Sequence, residues 1–137
     1  MIDYNKANNN YISYASWMTI KSLNRNGETA NHALPLQACG NLFYGNKRVL
    51  DLSVTGINGV SGVACDENGK YTLLLINETP NEVSVPNLTV DGAQVQGKKF
   101  TITSVSAASL ESMNVSMNTK TYSSISLQPY SVNVVEF

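Results

Sequence analysis

The segment over residues 48–77 constrains the fold of this chain more than any other part of the sequence. Apolar and polar residues alternate over residues 47–54, which predicts a half-buried strand with Leu50, Leu52 and Val54 on its inward face. Residues 71–76 are apolar on both faces, as in a strand that is covered on both sides. The sequence therefore predicts an all-β domain built around these strands.

Residues 66–69, with the sequence Asp-Glu-Asn-Gly, carry the clearest hairpin signal in the chain. Glycine tolerates the left-handed backbone conformation that a short hairpin turn requires. We interpret these four residues as a hairpin connection that follows a strand ending at Cys65 and precedes, after Lys70, a strand that begins at Tyr71. Asp91 and Gly92 predict a second turn for the same reason.

The remaining sequence predicts further short strands around this hairpin. They are expected over residues 82–85, 99–105, 124–127 and 130–137. Residues 106–120 are rich in Ser, Asn and Met and lack periodicity, which predicts a long loop, and residues 36–39 predict one short helical turn. About eight strands separated by frequent turns favour a two-sheet antiparallel β-sandwich that is Greek-key or jelly-roll-like.

The chain has the length of one domain, with 137 residues. Residues 1–10 are polar and are expected to form a flexible N-terminal segment, so the predicted sandwich domain covers residues 11–137. Residues 11–23 fit either a strand or a helix. Their aromatic and β-branched content favours the strand.

Composition argues against several classes of partner. A net charge of −1 gives no field that would attract phosphates, so we expect no nucleic-acid partner. No apolar run approaches the roughly 20 residues that span a bilayer, and the N-terminus lacks the order of a signal peptide. Few charged residues beside abundant Gly, Ser, Thr and Asn are typical of β-rich extracellular proteins. We therefore expect a soluble, secreted protein without a membrane partner.

The two cysteines leave two interpretations open. Cys39 and Cys65 could form one disulfide, since the expected location is extracellular. Two buried free thiols are an equally good interpretation, because Cys65 lies in a strongly β segment where a thiol behaves as a small apolar side chain.

The sequence shows no pair of residues that predicts catalysis. Asp66 and Glu67 are neighbours in a turn, whereas glycoside hydrolysis needs two carboxyl groups across the scissile bond. His32 is the only histidine and has no recognisable nucleophile near it in sequence, so we expect no enzymatic activity from this chain. Asp66 and Asn68 alternate as calcium ligands do, without the acidic continuation of an EF-hand loop. No cofactor is expected, and calcium is the one alternative.

Aromatic residues are the remaining signal for a binding site, because sugar rings stack their apolar faces on Trp and Tyr. The candidate carbohydrate-binding residues are Trp17, Tyr11, Tyr14, Tyr44 and Tyr122. Trp17 and its two tyrosine neighbours form the richest aromatic cluster, and Asn, Ser and Thr surround them. Trp17 also fits a structural role as the anchor that fixes the N-terminal segment to the sandwich.

Three stretches resemble a known family of domains. They are LFYGNKRVLDLSVTG, GVSGVACDENGKYTLLLINETPNEVSV and SISLQPYSVNVVEF, which lie within residues 42–137. They resemble the C-terminal β-sandwich appended to (β/α)8-barrel glycoside hydrolases of the arabinofuranosidase, xylosidase and cellulase type. Leu127, Pro129, Tyr130 and Ser131 match the leucine, proline and serine pattern of the last strand in that family.

The resemblance implies a role without catalysis, because the matched stretches contain no catalytic residue. Residues 1–41 show none of the barrel strands that would carry the catalytic glutamates. The first expectation is an accessory module of a secreted, bacterial, polysaccharide-degrading enzyme that contacts plant cell-wall polysaccharide through surface aromatics. The alternative is a purely structural sandwich that packs against the catalytic barrel of its parent enzyme and binds no sugar.

Overall fold

The fold is described from a computed structural model, which describes residues 33–40, 42, 45–107 and 115–137. Its elements, in chain order, are α1 (Ala33–Ala38), β1 (Arg48–Leu50), β2 (Val60–Glu67), β3 (Lys70–Asn77), β4 (Val83–Val85), β5 (Thr89–Val90), β6 (Ala93–Gln94), β7 (Phe100–Ala107), β8 (Val115–Tyr122), β9 (Ile125–Leu127) and β10 (Ser131–Glu136). The predicted flexible segment over residues 1–10 and the segment over residues 11–23, predicted as a strand or a helix, lie outside the described residues.

Six of the strands form one antiparallel sheet, in the order β1-β2-β3-β10-β7-β8. β4 and β9 pair with each other in a two-stranded ribbon, and β5 and β6 form a small hairpin. The ribbon packs through β9 on β3 and β7. The prediction of an all-β, sandwich-like antiparallel fold is therefore confirmed. In the described residues the second layer consists of the β4–β9 ribbon and the β5–β6 hairpin. Because this layer is divided into short strands, the described residues contain more strands than the eight predicted.

The β2–β3 hairpin lies where the sequence predicts it, with a tighter turn than expected. Asn68 and Gly69 have φ angles of 55° and 82°, so both adopt the left-handed conformation of a two-residue hairpin turn. The Asp66 carboxylate accepts a hydrogen bond from the Gly69 backbone N–H at 2.8 Å. Glu67 and Lys70 pair across the strands, so the four-residue connection predicted over residues 66–69 is wrong for Asp66 and Glu67, which belong to β2.

The core lies between the large sheet and the ribbon, on the side of the sheet that we call the inner face. Its buried residues are Ala64, Leu73, Leu75, Phe100, Ile102, Ile125, Leu127 and Val135. The two ribbon residues Ile125 and Leu127 are 2% and 0% exposed, so β9 contributes fully buried side chains to this core. Burial of each such side chain stabilises the fold by about 1.5–3 kcal/mol, which makes this contact the main attachment of the ribbon.

The opposite, outer face of the sheet carries a smaller apolar cluster. Leu42, Val63 and Cys65 are buried there, and Leu74 packs against them. Because Leu73 and Leu75 lie in the inner core, β3 is apolar on both faces and covered on both, as the sequence predicts. The short helical turn predicted over residues 36–39 corresponds to α1, which begins earlier and packs against β7, β8 and β10.

Two sequence predictions are corrected by the strands at the sheet edges. The long loop predicted over residues 106–120 is wrong for residues 106–107, which end β7, and for residues 115–120, which belong to β8. β8 is an edge strand with mostly exposed side chains, so it lacks the apolar alternation that marks a half-buried strand. The strand predicted over residues 47–54 is confined to β1 at Arg48–Leu50, although Leu50 and Leu52 pack against the inner core as expected.

The buried side chain of Asn77 connects the end of β3 to both strands of the ribbon. Its Nδ2 donates hydrogen bonds to the carbonyl oxygens of Asn81 and Gln128, each at 2.8 Å, and of Leu127 at 3.3 Å. Its Oδ1 accepts hydrogen bonds from the backbone N–H and the hydroxyl of Thr79, at 3.0 and 2.8 Å. Asn77 is 1% exposed, its bond to Leu127 is buried, and its other bonds are partly buried.

We expect Asn77→Ala to lower the free energy of unfolding by about 2–4 kcal/mol, because several buried polar groups would lose their partner together. Asn77→Asp should cost more than Asn77→Ala, since its carboxylate would face carbonyl oxygens in a buried site and could donate no hydrogen bond. Urea denaturation followed by far-UV circular dichroism measures both changes.

Asn87→Ala is the matched control for these variants. Asn77 and Asn87 each begin an Asn-X-Thr tripeptide, but Asn87 is exposed, and its side chain accepts a long hydrogen bond of 3.4 Å from Gln94. Its replacement should change the free energy of unfolding by no more than about 0.5 kcal/mol. Equal losses from Asn77→Ala and Asn87→Ala would contradict the role of Asn77.

Both cysteines are free thiols, which decides between the two interpretations of the sequence. Cys65 is fully buried, and Cys39 is partly buried. Burial raises the pKa of the Cys65 thiol, and the positive charge of Lys47 lowers it by a smaller amount. Burial also raises the pKa of the Cys39 thiol. Both groups are therefore protonated in the native protein at neutral pH.

We expect native Cys65 to resist alkylation by iodoacetamide at neutral pH and to become reactive in proportion to global unfolding, because the nucleophile is an accessible thiolate. The raised native pKa values also predict a pH dependence of the free energy of unfolding. The contribution of the two thiols is fully present below the ordinary thiol pKa of about 8.5 and decreases as the pH rises above it. Mass spectrometry of digested samples measures the alkylation, with urea-unfolded protein as the control. Rapid labelling of Cys65 in native buffer would contradict its burial.

Candidate functional site

A polar groove of about 380 Å³ lies between the inner face of β7 and β8 and the β4–β9 ribbon. The residues that give the groove its chemistry are Glu82, Ser104, Asn118, Lys120, Tyr122 and Ser126. They supply a carboxylate, an ammonium group, an amide, two hydroxyls and a phenol. This combination can donate hydrogen bonds to a ligand and accept them from it.

The register of β8 explains why polar side chains line the groove. Across the β7–β8 pair, Ile102 lies opposite Lys120, Ser104 opposite Asn118, and Phe100 opposite Tyr122. These β8 residues therefore share the inner face with core residues of β7. The ribbon packs on β3 and β7, however, and Asn118, Lys120 and Tyr122 are exposed. The ribbon thus covers the inner face over parts of β3 and β7 and leaves it exposed along β8.

Tyr122 is the aromatic residue of the groove, and it lies at the end of β8. Its side chain is 45% exposed, so part of the ring surface is accessible to a ligand. Phe100, its neighbour on β7, is buried and packs edge-on against Phe137 with a ring-centroid distance of 5.4 Å. Phe137 stacks in turn on Tyr71, also at 5.4 Å. Tyr122 therefore lies beside a residue of a packed aromatic cluster on the same face of the sheet.

Glu82 and Lys120 place opposite charges in the same groove. The Ser126 hydroxyl donates a hydrogen bond to the Glu82 carboxylate, which links the residue before β4 to β9. A carboxylate has several acceptor positions, so the contact with Ser126 leaves capacity for a hydroxyl of a ligand. Lys120 supplies donors from β8. One positive and one negative group favour a neutral ligand rich in hydroxyls over a strongly charged one.

Two buried polar atoms lie at neighbouring positions beneath the groove. Ser104 and Asn133 are paired across β7 and β10, and they are 8% and 0% exposed. The Ser104 Oγ and the Asn133 Oδ1 have no hydrogen-bond partner among the described residues. The Nδ2 of Asn133, in contrast, donates to the Ser131 Oγ at 2.8 Å and to the Leu75 carbonyl oxygen at 3.3 Å. Ser104 lines the groove, so its hydroxyl is unused hydrogen-bonding capacity at that site, whereas Asn133 lies next to Ser104 outside the lining.

The structure describes one of the five aromatic residues that the sequence suggested, and it places Tyr122 in the polar groove. The other four, Trp17, Tyr11, Tyr14 and Tyr44, lie outside the described residues. Sequence reasoning missed the polar residues of the groove. The alternation of Ser116, Asn118, Lys120 and Tyr122 was the available signal, but it falls mostly within the segment interpreted as a loop.

Asp66 and Asn68, which the sequence suggests as calcium ligands, have structural roles in the β2–β3 hairpin. Both Asp66 carboxylate oxygens are engaged, one by the Gly69 N–H and the other by Arg48 at 3.3 Å. The described residues contain no group of three or more His, Cys, Asp or Glu side chains that could hold a metal ion. The same part of the chain contains no helix with the length and hydropathy needed to cross a bilayer.

Comparison with known proteins assigns no family to this chain. No protein-family model and no curated protein matches its sequence.

We expect Ser104→Ala to leave the free energy of unfolding unchanged or to raise it by up to about 1 kcal/mol, because the substitution removes a buried hydroxyl that makes no hydrogen bond. Ser131→Ala is the matched comparison on β10. Its buried hydroxyl accepts from Asn133 and donates to the Gln128 carbonyl oxygen, so this variant should lose about 1–3 kcal/mol. Urea denaturation measures both, and a larger loss from Ser104→Ala would contradict this description of the groove floor.

Proposed function

We propose that this chain is a non-catalytic β-sandwich module that binds a neutral polysaccharide in the polar groove. The observation that carries the proposal is the exposed Tyr122 ring beside a groove of hydrogen-bonding side chains. A sugar ring presents an apolar face of C–H groups and a rim of hydroxyls, so it needs both features at once. A volume of about 380 Å³ fits a short stretch of a sugar chain.

The arrangement of the groove gives each residue a role in this proposal. Tyr122 stacks on one sugar ring at the end of β8, and Glu82 accepts hydrogen bonds from hydroxyls on the ribbon side. Lys120 and Asn118 donate to ring or hydroxyl oxygens from the β8 side. A groove bordered by an exposed edge strand can accept a polymer that continues beyond the bound units, so the ligand class is a polysaccharide chain.

The wider setting of the proposal comes from the resemblance of residues 42–137 to the C-terminal sandwich of barrel glycoside hydrolases. We propose that the chain serves as an accessory module of a secreted bacterial enzyme that degrades plant cell-wall polysaccharide. The catalytic barrel of that enzyme would then be its protein partner. The module would hold the polymer near the barrel, while the barrel would supply the catalytic carboxylates.

A second candidate function is a purely structural module that packs against the barrel and binds no sugar. The observation in its favour is the exposure of two apolar residues away from the groove. Leu36 on α1 is 55% exposed, and Val49, which pairs with Cys65 of the outer-face cluster, is 48% exposed. An interface with another domain would cover such residues. In this case the polar groove would show no affinity for any polysaccharide.

We expect the chain to be retarded in affinity electrophoresis through at least one neutral polymer among xylan, mixed-linkage glucan and arabinan. Tyr122→Ala should weaken the interaction about tenfold, because an aromatic contact at the centre of a binding site contributes on the order of 1–2 kcal/mol. Tyr122→Phe should retain most of the affinity, since it keeps the ring. Isothermal calorimetry with soluble oligosaccharides gives the affinities.

Val49→Ala is the matched control, because Val49 is about as exposed as Tyr122 and lies on the outer face. It should leave polysaccharide binding unchanged. Retardation on none of the polymers would overturn the binding proposal and favour the structural module. Binding that is lost in Trp17→Ala but intact in Tyr122→Ala would assign the site to the N-terminal aromatic cluster instead of the polar groove.

A further inference from the structure

Two turns of the described residues contain the same dipeptide, asparagine followed by glycine. Asn58 and Gly59 form the turn that leads into β2, and Asn68 and Gly69 form the turn between β2 and β3. Both asparagines are exposed, and both glycines are left-handed, with φ angles of 72° and 82°. The backbone nitrogen of a glycine can react with the asparagine before it, because no glycine side chain hinders the approach. By sequence the two turns are equivalent, and a third such pair at residues 26–27 lies outside the described residues.

The two turns differ in the hydrogen bonding of the glycine nitrogen, which is the atom that reacts. The Gly69 N–H donates a hydrogen bond of 2.8 Å to the Asp66 carboxylate. The nitrogen must lose its proton before it can attack, and the negative charge beside it opposes that loss. No hydrogen bond among the described residues, in contrast, involves the Gly59 N–H or the Asn58 side chain. Asn58 is therefore free to react, whereas Asn68 is protected.

The flanking residues also constrain the two turns to different degrees. Glu67 and Lys70, which flank the turn between β2 and β3, pair with each other across the two strands. At the other turn only the following residue, Val60, is paired in the sheet, and residues 55–57 belong to no strand. The reaction needs a rotation of the backbone beside the asparagine, so the less constrained turn should react faster. Asn58 is thus the favoured site for both reasons.

We propose that Asn58 is a site of spontaneous conversion to isoaspartate. The Gly59 nitrogen loses its proton to the solvent and bonds to the Asn58 Cγ, and the Cγ–Nδ2 bond breaks as the nitrogen takes a proton from the solvent and leaves as ammonia. Water then opens the cyclic imide that has formed. Attack of water at Cγ gives aspartate, and attack at the backbone carbonyl carbon gives isoaspartate, in which the chain continues through the side chain. Both products carry a new carboxylate, and isoaspartate also adds one methylene group to the backbone.

The added methylene group enters the backbone beside the attachment of the ribbon. The Gly59 carbonyl oxygen accepts a hydrogen bond of 2.8 Å from the Glu78 N–H. Gly59 also lies so close to Thr79 that a Cβ on the glycine would come within 2.5 Å of the Thr79 Cγ2. Asn77, whose side chain bonds to the ribbon, directly precedes these two residues. Isoaspartate in this turn therefore loosens the ribbon, whereas aspartate leaves the backbone contacts in place.

The test incubates the folded full chain at mildly alkaline pH and follows both asparagines by mass spectrometry of digests, with an isoaspartate-specific methyltransferase to identify isoaspartate. We expect Asn58 to be converted at least about tenfold faster than Asn68, because the Gly69 N–H must first leave a hydrogen bond to a carboxylate. In guanidinium chloride the two rates should become similar, since the unfolded chain keeps the dipeptides and loses the hydrogen bond. Conversion of Asn68 as fast as that of Asn58 in the folded chain would overturn the proposal.

Asp66→Ala tests why Asn68 is protected. The variant removes the acceptor of the Gly69 N–H, so it should accelerate the conversion of Asn68 and leave the rate at Asn58 unchanged. Glu67→Gln is the matched control, because it removes a neighbouring carboxylate and keeps that hydrogen bond. If Asp66→Ala does not fold, as judged by far-UV circular dichroism, Asp66→Asn removes the charge with little change of shape and should also accelerate Asn68. An unchanged rate at Asn68 would overturn the protection by the carboxylate.

Two variants at residue 58 test the effect on the ribbon. Asn58→Gln suppresses the reaction, because its longer side chain closes a less favourable ring, and it keeps the pair at residues 26–27 as an internal control. After incubation the parent chain should unfold at a lower urea concentration, in proportion to its isoaspartate content, while Asn58→Gln keeps its midpoint. Freshly prepared Asn58→Asp, which adds the charge without the methylene group, should unfold like the unmodified parent. An unchanged midpoint in isoaspartate-containing protein would overturn the effect on the ribbon.

Discussion

The hydrogen bonds of the Asn77 side chain connect the large sheet to the smaller layer that covers it. Asn77 lies at the end of β3, and its amide bonds to carbonyl oxygens at Asn81, just before β4, and at Leu127 and Gln128, at the end of β9. One side chain thus joins both strands of the ribbon to the centre of the sheet. The apolar contact of Ile125 and Leu127 supplies the burial energy, and Asn77 fixes where that contact forms.

The position of the ribbon determines which parts of the inner face remain open. The ribbon packs on β3 and β7, while the sheet extends further to β8 on one side and to β1 on the other. The β8 side becomes the polar groove, because β8 presents Asn118, Lys120 and Tyr122 toward it. The β2–β3 side becomes an apolar cavity, because the large sheet presents leucine and valine there. Both spaces therefore result from the position of the ribbon. Their chemistry differs because different strands line them.

The polar groove accounts for two observations that are otherwise unrelated. One is the exposed tyrosine at the end of β8, and the other is the unused hydrogen-bonding capacity of Ser104 and Asn133. Buried polar atoms without partners cost free energy and are retained in few places in a folded protein. Ser104 is one of the residues that line the groove, and its unused hydroxyl supports the proposal of a hydroxyl-rich ligand at this site.

Sequence reasoning identified the central hairpin and β3, because both depend on local signals. The Asn68-Gly69 turn is specified by the left-handed conformation that these residues tolerate, and the double apolar pattern of residues 71–76 can be satisfied only by cover on both sides. β8 was missed because a strand at the sheet edge needs no apolar alternation, and its partner β7 supplies the pairing. The state of the two thiols was also left open by the sequence.

The sequence by itself determined the fold class, the strands of the sheet centre and Tyr122 as a candidate binding residue. Only the tertiary structure decided that Tyr122 lies in a groove with Glu82, Ser104 and Lys120, and that an apolar cavity opens over β3. The physical reason is that strand propensity and turn chemistry are local properties, whereas exposure depends on distant segments. The ribbon that leaves β8 uncovered is joined to the sheet by Asn77, whose partner Gln128 lies 51 residues further along the chain.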